Sequence, residues 1–359
     1  MSDERLRDPA AAARIAARIR RTVHGPLSLM EVCGTHTMAI AQFGIRGMLP
    51  PEVTLLSGPG CPVCVTALAD IDRMIAIARQ PGVVIATFGD MVRVPGSRSS
   101  LQRERAEGAD IRVVYSPLDA LQMSRDHPGK KVVFVGVGFE TTSPTIAATV
   151  LEAERQAVQN FFVYPAFKLV PPALRLVLES RQAAVDGFIL PGHVSAIIGT
   201  GPYRFIAEEF NKAGVVAGFE PLDILQAILL LAEQAGGAGA IRNEYRRGVP
   251  DEGNAGALKI LYRVFEPCDA EWRAIGSIPQ SGLRFKDVFG WFDARRQFPV
   301  DIEPAAADPA CRCGQVMMGL ERPDQCALYD TGCTPEHPVG PCMVSSEGSC
   351  AARHKYGPG

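Results

Sequence analysis

The sequence predicts an α/β protein made of two similar parallel-sheet domains and a small cysteine-rich C-terminal region. Three observations predict it. Short β-branched runs alternate with helical stretches from about residue 26 to residue 235. Two pieces of sequence recur at nearly one offset. Six of the ten cysteines fall after residue 310.

Residues 1–24 are Ala-rich, with Ile15 and Ile19 four apart, and predict a docking helix. From there, "VTLLSG" at Val53, "VVIATFGD" at Val83 and "IRVVYSP" at Ile111 read as strands. Between them "DIDRMIAIARQ" has helical spacing and stops at Pro81-Gly82. The alternation resumes with strands "KVVFVGVG", "NFFVYPAF", "DGFILPG" and "GVVAGFEP" and helices "SPTIAATVLEAERQAV" and "PPALRLVLESRQAAV". Strand–helix–strand order predicts parallel sheets covered by helices on both faces. "SPLDALQ" at Ser116 resembles "EPLDILQ" at Glu220, and "GDMVRVPG" at Gly89 resembles "GHVSAIIG" at Gly192; the offsets are 104 and 103. This suggests an internal duplication. The expected divisions are an N-terminal helix (1–25), domain I (26–127), domain II (128–234), and a helical linker with the cysteine-rich region (235–359). "AGGAGAIRNEYRRGVP" near Ala235 opens that linker.

The 359 residues are 47% hydrophobic and 21% charged, which excludes disorder for most of the chain. Lys and Arg number 37 against 39 Asp and Glu, so no basic surplus points to nucleic acid. No apolar run approaches the ~20 residues that cross a bilayer. The Arg-rich start has no apolar core after it and is not a secretory signal. A cytoplasmic location is expected, where thiols stay reduced and clustered cysteines bind metal or do redox chemistry. Cys268, alone in "FEPCDAEW", reads as structural.

Three constellations carry the chemistry. Cys33-Gly34-Thr35-His36 follows "LSLMEV" and places a thiol and an imidazole at a strand end. It suits a nucleophile with its base, a metal ligand or a redox thiol. Cys61-Pro62-Val63-Cys64 follows "VTLLSGPG" and opens a helix on a loop expected to be exposed; the helix N-terminus should lower at least one thiol pKa. The pair can chelate a metal or close a disulfide. Other pocket candidates sit at carboxyl ends of strands: Asp90, Glu140, Thr141, Thr142, His193 and Glu220. Helix capping is the alternative for the acids, and a core imidazole for His193. "GVGFET" is not a full G-x-G-x-x-G, so a dinucleotide site is disfavoured.

The third constellation is the tail. Cys326, Cys333, Cys342 and Cys350 are spaced by 7, 9 and 8, too loosely for the paired knuckles of a zinc ribbon. Four dispersed thiolates in a Gly- and Pro-rich segment suit a [4Fe-4S] cluster, with Cys311 and Cys313 as substitutes. With few apolar runs, the tail is expected to be organised by a metal centre.

"MEVCGTHTM", "GPGCPVCVT", "GFETT", "PGHVSAIIG", "FEPLDIL" and "CTPEHPVGPCMVSSEGSCAA" together resemble the HypD family of [NiFe]-hydrogenase maturation, from about residue 28 to residue 356. The resemblance implies a scaffold that assembles an iron atom with two cyanides and one carbon monoxide, the Fe(CN)2CO unit. It implies a HypC-type chaperone, a HypE-type cyanide donor, and delivery to the hydrogenase large subunit. It places the [4Fe-4S] cluster in the tail, and iron handling and redox work at Cys33, Cys61 and Cys64, with His36 nearby. The competing expectations are a stand-alone iron–sulfur disulfide reductase using Cys61 and Cys64, and a zinc-stabilised interaction protein.

Overall fold

The computed structural model describes residues 4–180, 182–303 and 307–357. The first three residues of the expected N-terminal helix lie outside these, as do 304–306 and 358–359 of the expected C-terminal region. Nine strands run parallel: β1 (Leu27–Glu31), β2 (Val53–Ser57), β3 (Val83–Thr87), β4 (Asp110–Val113), β5 (Lys131–Gly138), β6 (Phe161–Phe167), β7 (Gly187–Pro191), β8 (Ala213–Ala217) and β9 (Ile241–Asn243). They form two sheets, ordered β2-β1-β7-β8-β9 and β4-β3-β5-β6. An antiparallel hairpin follows, β10 (Phe265–Trp272) with β11 (Gly276–Phe285). Among the described residues no helix is long and apolar enough to cross a membrane.

The two α/β units are similar in topology. With each sheet's strands counted in chain order, one is arranged 2-1-3-4 and the other 2-1-3-4-5. The expected division at residue 127 is corrected by this pairing. The chain lays down β1 and β2, leaves to build the whole second sheet from β3 to β6, and returns to complete the first with β7, β8 and β9. Hydrophobic pattern locates strands but does not name their neighbours, so the excursion was not visible locally. The recurring peptides also fall at non-equivalent places. "SPLDALQ" opens the helix Pro117–Asp126 after the second strand of its sheet, and "EPLDILQ" opens Pro221–Ala232 after the fourth of the other. They share capping chemistry: Ser116 with Asp119 and Glu220 with Asp223 each make a reciprocal capping box.

The N-terminal helix Pro9–Thr22 docks through Ala12, Ala16 and Ile19 onto Pro221–Ala232. Ile19 is fully buried, a burial that contributes about 1.5–3 kcal/mol. β9 lies inside the segment expected to be a linker, and residues 265–285 were expected to hold no strand. β10 nonetheless alternates half-buried and exposed positions between its buried ends, the period of a strand with one wet face. Trp272 ends it, buried, donating from Nε1 to Ser281 Oγ at 2.8 Å.

Glu140, at the end of β5, takes the capping role. Its Oε1 accepts the N–H of Val170, the first residue of the helix Val170–Ser180, at 3.0 Å. Its Oε2 is buried and has no partner among the described residues. Burial pushes the carboxyl up to about 7 from an ordinary 4.5. Between those values the folded protein holds the proton and the unfolded chain does not, so rising pH costs stability, at about 1.4 kcal/mol per pH unit. Glu140→Gln cannot titrate. Its stability relative to wild type should climb at that slope from pH 4.5 to 7, measured as urea unfolding free energies. Parallel pH profiles for the two proteins would contradict this account.

Candidate metal and thiol centre

The centre forms at the carboxyl end of the five-stranded sheet. The order 2-1-3 makes β1 and β7 neighbours whose following connections diverge, the place where such sheets bind ligands. β1 delivers Cys33, which caps the helix Gly34–Gln42. β2 delivers Cys61, which caps the short helix Pro62–Val65 and accepts the N–H of Cys64 at 3.2 Å. The two loops touch through backbone: Gly34 N donates to Gly60 O at 2.9 Å. A Cβ on Gly60 would lie 2.3 Å from Cys33 N, so only glycine lets these motifs meet.

Glu31, the last residue of β1, sets the Cys33 loop from beneath. Its carboxylate accepts Thr37 Oγ1 at 2.6 Å and Cys33 N at 3.4 Å. Burial raises this carboxyl to about 7, against the pull of those donors. Burial, then the Glu347 carboxylate, push the Cys33 thiol up to about 12, although the first N–H groups of its helix pull it down. Cys61 and Cys64 are 6% and 1% exposed, so the loop expected to be open is covered. Burial drives Cys64 well up, overriding the helix N-terminus that was expected to lower it.

The cover is the C-terminal tail. The helix Ser349–Tyr356 packs on Gly34–Gln42, and Pro341–Val344 packs on Pro62–Val65. Thr35 Oγ1 donates to Glu347 Oε1 at 2.7 Å, Ser345 Oγ to Asp90 Oδ2 at 3.2 Å, and Arg93 Nη2 to Val344 O at 3.2 Å. Asp90 therefore latches the tail. Cys311, Cys313, Cys326, Cys333 and Cys350 line one pocket in it, with Tyr329 and Met343. Cys311 and Cys313 sulfurs are 3.3 Å apart. Five thiols, soft donors, thus line one pocket. Cys342 does not line that pocket. It interacts with Cys313 on one side and Cys64 on the other; the Cys313 contact holds its pKa down, while Cys64 and burial carry it well up. The thiols thus run from Cys61 and Cys64 through Cys342 and Cys313 to the tail pocket.

His36 is placed differently from the thiols. Its Nε2 lies 2.9 Å from Gly218 O beyond β8, and burial lowers the ring to about 4, so it is a neutral imidazole. Its Nδ1 is buried and unpartnered among the described residues. The ring leans on Phe219, 4.8 Å away, which also stacks on His193 at 4.0 Å. His193 is thus an exposed stacking residue, not a core imidazole. Glu220 caps a helix and accepts Arg7 at 3.0 Å, and Thr142 caps Ser143–Arg155 by backbone alone. Cys268 sits in β10, away from the tail thiols. Two residues were not singled out from sequence. Glu347 lies in "SSEGSC", and only the folded tail brings it to Thr35. Arg273 is 9% exposed; its N–H bonds Val65 O at 2.9 Å, and the thiols of Cys313, Cys311 and Cys342 act on its guanidinium.

Comparison with known proteins shows which family the chain is similar to. The HypD family model, described as "Hydrogenase formation hypA family", matches residues 10–357. The chain is 46% identical to the hydrogenase maturation factor HypD of Rhodobacter capsulatus, covering 98% of this chain and 97% of that protein. It is 46% identical to HypD of Escherichia coli strain K12, over 95% and 92%. HypD of Azotobacter vinelandii is 42% identical, over 99% and 96%. Similarity at this level spans nearly the whole chain: it belongs to the HypD family of hydrogenase maturation factors.

Proposed function

We propose that the chain is a cytoplasmic scaffold on which an iron atom acquires two cyanides and one carbon monoxide. It works with a HypC-type chaperone, receives cyanide from a HypE-type donor, and the dressed iron passes to the hydrogenase large subunit. The observation that carries this reading is the line of thiols from Cys61 and Cys64 through Cys342 and Cys313 to the tail pocket, with the backbone of Cys33 packed on Gly60, the residue before Cys61. Releasing cyanide from a thiocyanate takes two electrons and leaves a thiolate and cyanide. Oxidising the Cys61–Cys64 dithiol to a disulfide supplies two electrons and two protons. The Cys342 and Cys313 thiols lie where they can pass electrons back to restore it. A [4Fe-4S] cluster in the tail would supply those electrons one at a time. Cys33, outside the dithiol, is free to hold the iron substrate, and His36 braces its helix through Gly218. Soft thiolates suit iron carrying strong-field ligands. The burial of Cys61 and Cys64 disfavours a free-standing reductase of bulky disulfides.

For the cluster, the ligands we propose are Cys326, Cys333 and Cys350, which line the tail pocket, with Cys311, which also lines it, as the fourth in place of Cys342. Cys342→Ala should retain full cluster iron and brown absorbance but fail to regenerate the Cys61–Cys64 dithiol; Cys311→Ala should bleach. Iron analysis with titration of accessible thiols after reduction distinguishes them. The reverse pattern would return Cys342 to the cluster.

Cys33→Ala should keep the tail cluster, lose the cyanide and carbon monoxide infrared bands of protein purified with its chaperone, and stop hydrogenase maturation. Undiminished bands belonging to this chain would refute the iron assignment.

A further inference from the structure

A second cavity lies at the carboxyl end of the other sheet and takes no part in the thiol chemistry. It has a volume of about 360 Å³ and is walled by the end of β6, the start of the helix Leu68–Ala78, and the β10–β11 hairpin. Lys168, the residue after β6, lines it while being only 2% exposed. Its amine makes no hydrogen bond or ion pair among the described residues; Asp70 and Glu271 act on it at longer range. A lysine buried this far is costly unless an anion answers its charge.

The surrounding groups favour an anion too. Arg73 and Arg295 line the same cavity. The nearest carboxylate, Asp70, is already committed, accepting Tyr164 Oη at 2.8 Å and Arg295 Nη2 at 2.8 Å, with Arg73 3.8 Å away. Asp269, on the exposed rim, accepts Gln280 N at 2.9 Å, and Glu271 is also exposed. No side chain caps the helix Leu68–Ala78, because its N-cap is Ala67, which lines the cavity. Ala67 and Ala69 at its start line the cavity, so the amino end of an 11-residue helix borders the same space as an unanswered amine. Burial lowers the Lys168 pKa, and a bound anion would restore its charge.

We propose that this cavity binds a small oxyanion, the phosphate or carboxylate group of a small molecule, through Lys168, Arg73 and the N-terminus of Leu68–Ala78. The site opens three residues after Cys64, along Val65 and Thr66, so its occupant sits on the segment that carries the dithiol. The proposal does not rest on the iron assignment and is tested on the full chain without it.

The probes are inorganic phosphate, followed by phosphorus NMR line width, and acetate as competitor. Wild type should broaden the phosphate line saturably. Lys168→Met, which keeps the stem and removes the amine, should weaken binding about tenfold or more, the worth of one charge-assisted contact. Arg73→Gln, a change at a half-exposed side chain, should weaken it about threefold and decides the matter if Lys168→Met fails to fold. Competition by acetate assigns the carboxylate class; phosphate binding indifferent to acetate assigns the phosphate class. Binding by neither probe, or equal binding by wild type and both variants, overturns the proposal.

Discussion

The centre depends on one close approach, that of the Gly60 backbone to Cys33. β1 and β2 are adjacent parallel strands, so their following loops start about 4.8 Å apart. Side chains would normally hold such loops further apart as they diverge. A missing Cβ at Gly60 lets the carbonyl accept the N–H of Gly34, and two cysteine motifs become one surface. The same device recurs in the tail, where a Cβ on Gly340 would meet the sulfur of Cys313 at 2.5 Å and that of Cys311 at 2.7 Å. The first contact joins the backbones of two cysteine motifs, and the second leaves room for two sulfurs.

Burial of the thiols follows from that closeness and has its own cost. Removing water raises the pKa of Cys33 and Cys64, and against the pull of Cys313 the Cys64 thiol together with burial raises that of Cys342, so the folded protein keeps their protons. A soft metal ion that binds such thiols must displace protons, and its charge then answers the thiolates in a medium where that attraction is strong. Arg273 offers a fixed positive charge beside Cys313, Cys311 and Cys342, and is itself held by Val65 O and Pro95 O. The Glu31 carboxyl, near 7, grips the Cys33 loop whether protonated or not, because it has Thr37 and Cys33 N as donors.

What could be read in advance follows physical range. The strands at Val53, Val83, Lys131 and Phe161 were legible because each is a β-branched or aromatic run beside a helical period, and both properties are local. The Cys33 and Cys61 motifs were legible because Gly and Pro flank reactive side chains. Strand pairing was not, because Leu29 opposite Gly187 joins residues about 160 positions apart and nothing in either segment names the other. β9 and the hairpin were missed where Gly, Pro and Asp dilute the alternation. The exposed loop expected at Gly58-Pro59-Gly60 was a fair inference from composition. It failed because Pro341–Val344, nearly 300 residues away, covers it. Glu347, Arg273 and the displacement of Cys342 from the tail pocket have the same origin.

The tail was expected to lack a core, and it does not build one alone. Val316, Met317, Met343 and Val344 are buried, and Met317, Met343 and Val344 join the same apolar cluster as Cys61, Val63 and Trp272. The tail therefore borrows the core of the body. Its polar anchors, Thr35–Glu347, Asp90–Ser345 and Arg93–Val344, reach the connections after β1 and β3, which begin at the switch points of the two sheets. One segment thus bridges both α/β units at the end of the fold where ligands bind. Because the same residues close the thiol centre and tie the units together, whatever opens the centre to a partner must also loosen the join between the sheets. Access to Cys33 is in this way a property of the whole chain.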